Sequence, residues 1–217
     1  MADFAARRRI MVDTQIRPSD VTSFPIIDAM LNTPREAYVP DAARDLAYLG
    51  GPIALGGGRQ LMEPRSIGKM LEALDVTPGE MVLEIGPGLG YTTALLARMA
   101  EAVVAVEEDE ALAREAEANL SAQSVDNAAV LTGPLADGSA KNAPYDAIVI
   151  FAGVEEIPAA LTDQLRDGGR IMAVFMNGPL GEVRTGLKLH GDVSWRMEFN
   201  ATAPVLPGFA RAPSFEF

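Results

Sequence analysis

The arrangement of apolar and polar residues changes near residue 80. Before it, apolar side chains recur at helical spacing over residues 23–31 and 65–74. After it, short apolar runs alternate with helical patterns, which predicts a parallel sheet with helices on its faces. Beyond Pro179, two strand patterns flank a turn at residues 190–192, which predicts an antiparallel hairpin. The 217 residues are therefore expected to form an α/β fold with an N-terminal helical extension.

The individual elements follow from the same pattern. We expect strands over residues 81–85, 102–107, 129–132, 145–151, 169–175, 182–189 and 194–199, and helices over residues 91–100, 108–121 and 158–166. Two glycine-dense stretches, residues 49–52 and 55–60, are expected to be loops. The tail, residues 206–217, contains two prolines and four aromatic or aliphatic anchors, and it is expected to pack on the surface.

A glycine-rich turn follows the first strand of the alternating region. The order strand, tight turn, helix brings the backbone close to a ligand, as in nucleotide-binding α/β proteins. A dinucleotide fingerprint has glycine at its first, third and sixth positions, whereas here the glycines take the first, third and fifth and Tyr91 takes the sixth. This spacing, with Glu84 two residues before the first glycine, is typical of S-adenosylmethionine-dependent methyltransferases. The predicted cofactor-binding residues of this motif are Glu84, Gly86, Pro87, Gly88, Gly90 and Tyr91.

The second strand supports this assignment because it ends in Glu107. An acid about 20 residues after the glycine loop binds ribose hydroxyls in nucleotide-binding folds. Glu107 is therefore the predicted ribose ligand, with Glu108 as the second choice. Alternatively, both acids begin the first turn of the next helix, where the helix dipole favours negative charge. The two interpretations are compatible, because the ribose site lies at that same helix start.

The composition narrows the possible partners. The chain has 18 basic and 30 acidic residues and a net charge of −12, which argues against a nucleic-acid partner. It has no cysteine, and its one histidine, His190, lies in the predicted hairpin turn, so neither a thiolate nor a metal site is expected. No long apolar stretch predicts a membrane span, and no apolar segment follows the arginines at residues 7–9 as in a secretory signal. We therefore expect a cytoplasmic protein.

Four segments together resemble the protein-L-isoaspartate O-methyltransferase family. They are Pro34-Arg35-Glu36-Ala37-Tyr38-Val39-Pro40, the glycine motif from Glu84 to Tyr91, Ala143-Pro144-Tyr145-Asp146-Ala147-Ile148, and the stretch from Ile157 to Arg170 with its Ile-Pro, Gln-Leu and Gly-Gly-Arg elements. They occur in the family's order and cover most of residues 10 to 175. Each segment alone is a modest signal, whereas four in the correct order indicate membership.

The resemblance implies a Rossmann-like class I methyltransferase fold. It implies a mostly parallel seven-stranded sheet with helices on both faces and an antiparallel C-terminal hairpin. Residues 1–75 would form an extension that covers the active site, and residues 76–217 the domain that binds S-adenosyl-L-methionine. The implied reaction methylates the carboxyl group of isoaspartyl residues in damaged proteins or peptides, a step in protein repair, and releases S-adenosyl-L-homocysteine.

The chain departs from the family in the loop expected to hold the acceptor, which has Arg59, Gln60, Leu61 and Met62. The family's active-site serine falls on Met62, and a thioether cannot donate a hydrogen bond. Met62 is either a buried space-filling residue or a residue that lines the acceptor site. Arg59 is a further departure; a solvated loop arginine is the favoured interpretation, and an arginine that pairs with a carboxylate is the alternative.

Two further departures concern the adenine end and strand 145–151. The family often has Gly-Asp after the third strand, but here Gly133 precedes Pro134, so adenine recognition is expected to use the backbone, Asp137 or apolar packing from Leu135. Phe151 stands where the family has threonine.

Three functions therefore stay open: isoaspartyl methylation, methylation of a different acceptor, and cofactor binding without catalysis. A nicotinamide-dependent oxidoreductase is disfavoured by Tyr91 at the third glycine position.

Overall fold

A computed structural model describes residues 3–211 of the chain. The N-terminal part contains α1 (Phe4–Met11), α2 (Phe24–Asn32), a two-stranded hairpin of β1 (Ile53–Gly56) and β2 (Arg59–Leu61), and α3 (Pro64–Leu74). The alternating part contains β3 (Met81–Ile85), α4 (Tyr91–Ala97), β4 (Ala102–Glu107), α5 (Glu110–Ala122), β5 (Ala128–Thr132), β6 (Tyr145–Val154), α6 (Ala159–Asp163) and β7 (Leu165–Asn177). The last two strands are β8 (Leu180–Leu189) and β9 (Asp192–Asn200).

The main sheet has seven strands in the order β5-β4-β3-β6-β7-β8-β9. The five strands from β5 to β7 are parallel, whereas β8 pairs antiparallel with both β7 and β9. The strand order reverses between β3 and β6, and open α/β sheets bind ligands in the crevice outside the carboxyl ends of the strands at such a point. The predicted α/β fold, its C-terminal hairpin and its N-terminal helices are confirmed.

Two clusters of buried side chains cover the two faces of the sheet. One contains residues from α1, α2, α3, α4 and α5, so the N-terminal extension shares a core with the sheet. The other is covered by α6 and by residues of the tail, including Leu206 and Phe209. Among residues 3–211, no helix combines the length and the apolar character that crossing a bilayer requires.

One expectation from the sequence was wrong. Residues 55–60 are not a loop, because Ile53 pairs with Leu61 and the intervening residues close the β1–β2 hairpin. The described part of the tail packs through its apolar anchors, since Leu206 and Phe209 are almost fully buried. Their burial has a local cause, because Gly153 of β6 bonds to the tail backbone on both sides, donating to the Pro204 carbonyl and accepting from the Leu206 N–H at 2.9 Å each. The part of the tail from residue 212 onward lies outside the described residues.

Candidate active site

The glycine loop forms a tight turn at the carboxyl end of β3. Gly86, Gly88 and Gly90 all have positive φ angles, of 71°, 57° and 91°. The Gly86 N–H donates to the Val106 carbonyl of β4 at 2.9 Å, and the Gly90 N–H donates to the Pro87 carbonyl at 3.0 Å. At Gly88, φ lies in the left-handed region that glycine adopts at no steric cost. The loop therefore lies against the end of β4, where Glu107 is located.

Glu107 is fully buried and its carboxylate accepts five hydrogen bonds. Three come from backbone N–H groups: those of Gly88 at 3.2 Å, Glu108 at 2.9 Å and Asp109 at 3.2 Å. The other two come from the guanidinium of Arg59. A buried carboxylate needs such donors to offset the loss of its hydration. The structure therefore joins the glycine loop and the predicted ribose ligand in one network.

Arg59 is not a solvated loop residue, and the interpretation favoured from the sequence was wrong. Its side chain is 3% exposed. Arg59 Nη2 lies 2.7 Å from Glu107 Oε1 and Nε lies 3.1 Å from Glu107 Oε2, which is a bidentate pair. Arg59 Nη2 also lies 3.3 Å from Oε1 of Glu108, the partly exposed second choice for the ribose. Within the described residues, Arg59 Nη1 has no hydrogen-bond partner.

The β1–β2 hairpin closes the crevice above the glycine loop. A Cβ atom added to Gly88 would lie 2.6 Å from Leu55 Cδ1, and one added to Gly86 would lie 3.0 Å from Leu206 Cδ1. The cavity left between the hairpin and the loop measures about 10 Å³. Its walls are formed by Leu55, Arg59, Gln60, Leu61, Met62, Gly86, Pro87, Gly88, Thr92 and Phe151. This volume is about the size needed for one water molecule, whereas pockets for small ligands measure about 300–1,000 Å³.

Glu84 connects β3 to the first turn of α4. It is 1% exposed, and its carboxyl group accepts hydrogen bonds from the hydroxyl groups of Thr92 and Thr93. Burial raises the pKa of Glu84 to about 7; the two threonine hydrogen bonds oppose this rise and the charge of Glu107 adds to it. The carboxyl group thus lies beneath the loop and does not line the cavity, and its role towards the cofactor stays a prediction.

Arg35 holds the end of the segment from Arg59 to Met62, which is predicted to bind the acceptor. This side chain is fully buried and donates from Nη2 to the Met62 carbonyl at 2.6 Å and from Nε to the Ala47 carbonyl at 2.8 Å. Its guanidinium also lies 5.0 Å from the ring centroid of Tyr91, which packs edge-on against Tyr38. The Tyr91 side chain therefore faces the N-terminal extension and does not line the cavity. Met62 is both buried and part of the cavity wall, so its two interpretations are compatible.

The expected adenine end lies on the opposite face of the sheet. Leu135 follows β5 and is buried in the same cluster as Leu206 and Phe209. A Cβ atom on Gly208 would lie 3.2 Å from the Cβ of Ala136, which places the tail directly over this turn. Leu135 therefore packs against the core and does not line the cavity.

The sequence analysis assigned none of four crevice residues, Leu55, Thr92, Phe151 and Leu206, to the site. Leu55 lies on a hairpin that three consecutive glycines made look like a loop. Leu206 arrives from the tail, about 120 residues beyond the glycine loop. The departure at Phe151 was the available signal for a cavity residue at the end of β6. Thr92 had no such signal, because a threonine in the first turn of a helix is common.

The polar groups of the crevice suit S-adenosylmethionine. A buried carboxylate at the end of β4 can accept hydrogen bonds from two ribose hydroxyls, and the glycine loop exposes backbone without side chains. The chemistry of these residues fits the cofactor, while the space is filled by Arg59 and Leu55. Binding therefore requires these two side chains to move.

Comparisons with known proteins identify the family of the chain. The family model of protein-L-isoaspartate(D-aspartate) O-methyltransferase matches residues 6–184. The chain belongs to this family. It is 43% identical over 169 residues to protein-L-isoaspartate O-methyltransferase 1 of Rhodopseudomonas palustris. The matched region covers 78% of this chain and 69% of that protein. It is 36% identical over 180 residues to the protein-L-isoaspartate O-methyltransferase of Pelotomaculum thermopropionicum. That match covers 83% of this chain and 76% of the relative.

Solved structures of the same family share the fold. One, a protein-L-isoaspartate O-methyltransferase, matches with a TM-score of 0.78 and 22% identity over 94% of this chain, and the chain spans 65% of its length. Another, from Plasmodium falciparum, was solved in complex with S-adenosyl-L-homocysteine. It matches with a TM-score of 0.79 and 17% identity, over 95% of this chain and 99% of the other.

Proposed function

We propose that the protein transfers a methyl group from S-adenosylmethionine to the carboxyl group of L-isoaspartyl residues in proteins. The observation that carries the proposal is the network that joins the glycine loop to Glu107 at the carboxyl ends of β3 and β4, within a chain of this family. The relatives named above are protein-L-isoaspartate O-methyltransferases, so damaged proteins or peptides are the acceptors that the proposal assigns.

Each part of the crevice has a distinct role in this proposal. Glu107 would accept hydrogen bonds from the ribose, and the backbone of residues 86–90 would hold the amino-acid part of the cofactor. When bound, the cofactor supplies a methyl group on a sulfonium centre with a good leaving group. The acceptor carboxylate is ionised near neutral pH, so the protein need not remove a proton from it. The protein's contribution is to hold donor and acceptor in line.

We assign the acceptor to the segment from Arg59 to Met62. The segment begins beside Glu107 and ends at the Met62 carbonyl, which Arg35 holds at 2.6 Å. No side-chain hydroxyl is present in this segment, so the acceptor carboxylate must bind to the guanidinium of Arg59, the amide of Gln60 or backbone N–H groups. The hairpin belongs to the N-terminal extension, which supports the proposal that this extension covers the active site.

The test is methyl transfer from labelled S-adenosylmethionine to a peptide with one isoaspartyl residue, beside the same peptide with normal aspartate. The proposal expects transfer that is selective for isoaspartate. In parallel, S-adenosylhomocysteine is expected to raise the melting temperature and NAD is expected to leave it unchanged, since only a ligand of the folded state stabilises it. A stabilised protein that methylates neither peptide would contradict the proposal and favour a changed acceptor or a protein that binds the cofactor without catalysis.

A further inference from the structure

Arg59 is bound to the Glu107 carboxylate, the group that the proposed ribose contact requires. Both oxygens of the Glu107 carboxylate accept from its guanidinium, and the pair is buried. An arginine bound in this bidentate way competes directly with the two hydroxyls of a ribose, which need the same oxygens. If Arg59 leaves, Glu107 keeps the N–H groups of Gly88, Glu108 and Asp109 as donors. The carboxylate is therefore stabilised without Arg59, and exchange of its partner is feasible.

The two ends of the segment around Arg59 differ in backbone composition and in their hydrogen bonds. Gly56, Gly57 and Gly58 precede it, all with positive φ, and the hairpin pairing shifts register between Ala54 and Gly56. At the other end of the segment, the Met62 carbonyl is held by the buried Arg35. A displacement of the hairpin tip thus swings Arg59 while the acceptor segment stays anchored three residues away.

Arg59 also has unused binding capacity inside the crevice. Its Nη1 atom is buried in the cavity wall and, among the residues the structure describes, has no partner. Released from Glu107, the guanidinium would keep only its 3.3 Å contact from Nη2 to Glu108, and its remaining N–H groups could bind a second anion. Under the proposed function, on which this step rests, the acceptor is itself a carboxylate, the group that a guanidinium binds best in a planar, bidentate manner.

We propose that Arg59 exchanges carboxylates: it leaves Glu107 when the cofactor's ribose binds there, and it then binds the carboxylate of the isoaspartyl acceptor. Cofactor binding thereby prepares the acceptor site, and the cofactor binds before the acceptor. Arg59 is a specificity-determining residue in this scheme, and the carboxylate of the acceptor takes the place of Glu107 as its partner.

The test compares wild type with Arg59→Gln in two separate measurements. Calorimetric titration with S-adenosylhomocysteine is expected to show a Kd at least about fivefold lower in the variant, because the competing arginine is gone. The KM for the isoaspartyl peptide is expected to rise about tenfold or more, as for the loss of one charge-assisted hydrogen bond. A merely structural role would weaken both, so the opposite signs distinguish exchange from misfolding.

Two further variants provide matched controls. Arg65→Gln removes the same charge from an exposed position in the adjoining helix and is expected to change neither constant. Arg59→Lys keeps the charge but lacks the planar guanidinium group. It is expected to bind the acceptor more tightly than Arg59→Gln and less tightly than wild type. Circular dichroism checks that each variant is folded.

The outcomes separate this proposal from the proposed function. A Kd for S-adenosylhomocysteine that is unchanged or higher in Arg59→Gln would overturn the exchange. A lower Kd with an unchanged KM would overturn the binding of Arg59 to the acceptor. Wild-type protein that binds S-adenosylhomocysteine but methylates no isoaspartyl peptide would overturn the proposed function and with it the acceptor step, while the titrations would still decide whether Arg59 competes with the cofactor.

Discussion

Glu84→Gln is expected to change how the stability of the protein depends on pH. Glu84 is buried, its carboxyl group accepts from two threonine hydroxyls, and burial raises its pKa from 4.5 to about 7. A carboxyl group with a raised pKa in the folded state stabilises that state fully below its unfolded pKa and loses this contribution as pH rises through the folded pKa. Glutamine resembles the protonated carboxyl group and does not titrate.

The size of the effect follows from the pKa. One pKa unit corresponds to about 1.4 kcal/mol, so a rise from 4.5 to about 7 removes about 3 kcal/mol of unfolding free energy across the full titration. Part of this loss occurs below pH 5.5, as the unfolded carboxyl group ionises. Between pH 5.5 and pH 8, the wild type is therefore expected to lose about 2 kcal/mol relative to Glu84→Gln.

The assay is urea unfolding followed by circular dichroism at several pH values between 5.5 and 8, for both proteins. Glu80→Gln is the control of opposite sign: burial raises the pKa of Glu80, but hydrogen bonds from Arg170 and Thr77 and the charge of Arg170 outweigh this, so the pKa is lowered. Its substitution removes a contribution that is present above pH 4.5 and lost towards acid. Parallel stability curves for Glu84→Gln and wild type would refute the assignment of a titrating group to Glu84.

Three other substitutions test the geometry of the crevice. Gly88→Val places a side chain at φ 57° against Leu55, and calorimetry is expected to show S-adenosylhomocysteine binding about tenfold weaker or more. Unchanged affinity would mean that the loop does not approach the cofactor. Met62→Ser is expected to increase methyl transfer to the isoaspartyl peptide and to lower the unfolding free energy by about 2 kcal/mol, because it leaves a cavity; no gain in rate would show that the hydroxyl is not the limiting feature. Gly153→Val makes its Cβ clash with the Ala203 carbonyl, and it is expected to lower the unfolding free energy by about 2–4 kcal/mol and to expose the tail to limited proteolysis. A tail that stays protected would contradict its docking on Gly153.

The parallel part of the sheet was predictable because its signals are local. Residues 81–85 and 102–107 are strands with the predicted ends. Central parallel strands are buried on both faces, so they occur as continuous apolar runs that stand out against the helices. The glycine loop and Glu107 follow directly from those strand ends. Because β3 and β4 are neighbours in the sheet, the glycine loop and Glu107 lie side by side at the carboxyl ends of these strands.

The closure of the crevice was not predictable in the same way. The Arg59–Glu107 pair joins residues 48 positions apart, and no periodicity in the chain marks such a contact. Glycine is rare in strands, so three consecutive glycines concealed the β1–β2 hairpin although Ile53, Leu55 and Leu61 alternate correctly. Leu206 is buried because the backbone of Gly153 pairs with the tail, and composition carries no trace of that pairing.

The tail and the β1–β2 hairpin both enclose the crevice, but they are held by different interactions. This difference indicates which of the two opens. The tail is tied to Gly153 by two backbone hydrogen bonds and anchored by the buried Phe209. The tip of the hairpin has glycines at residues 56–58 and is held to the site through the ion pairs of Arg59 with Glu107 and Glu108. The Glu107 oxygens are those that the proposed ribose contact would use. A ligand that replaces Arg59 on Glu107 removes the bidentate part of this attachment, whereas the contacts of the tail are unaffected.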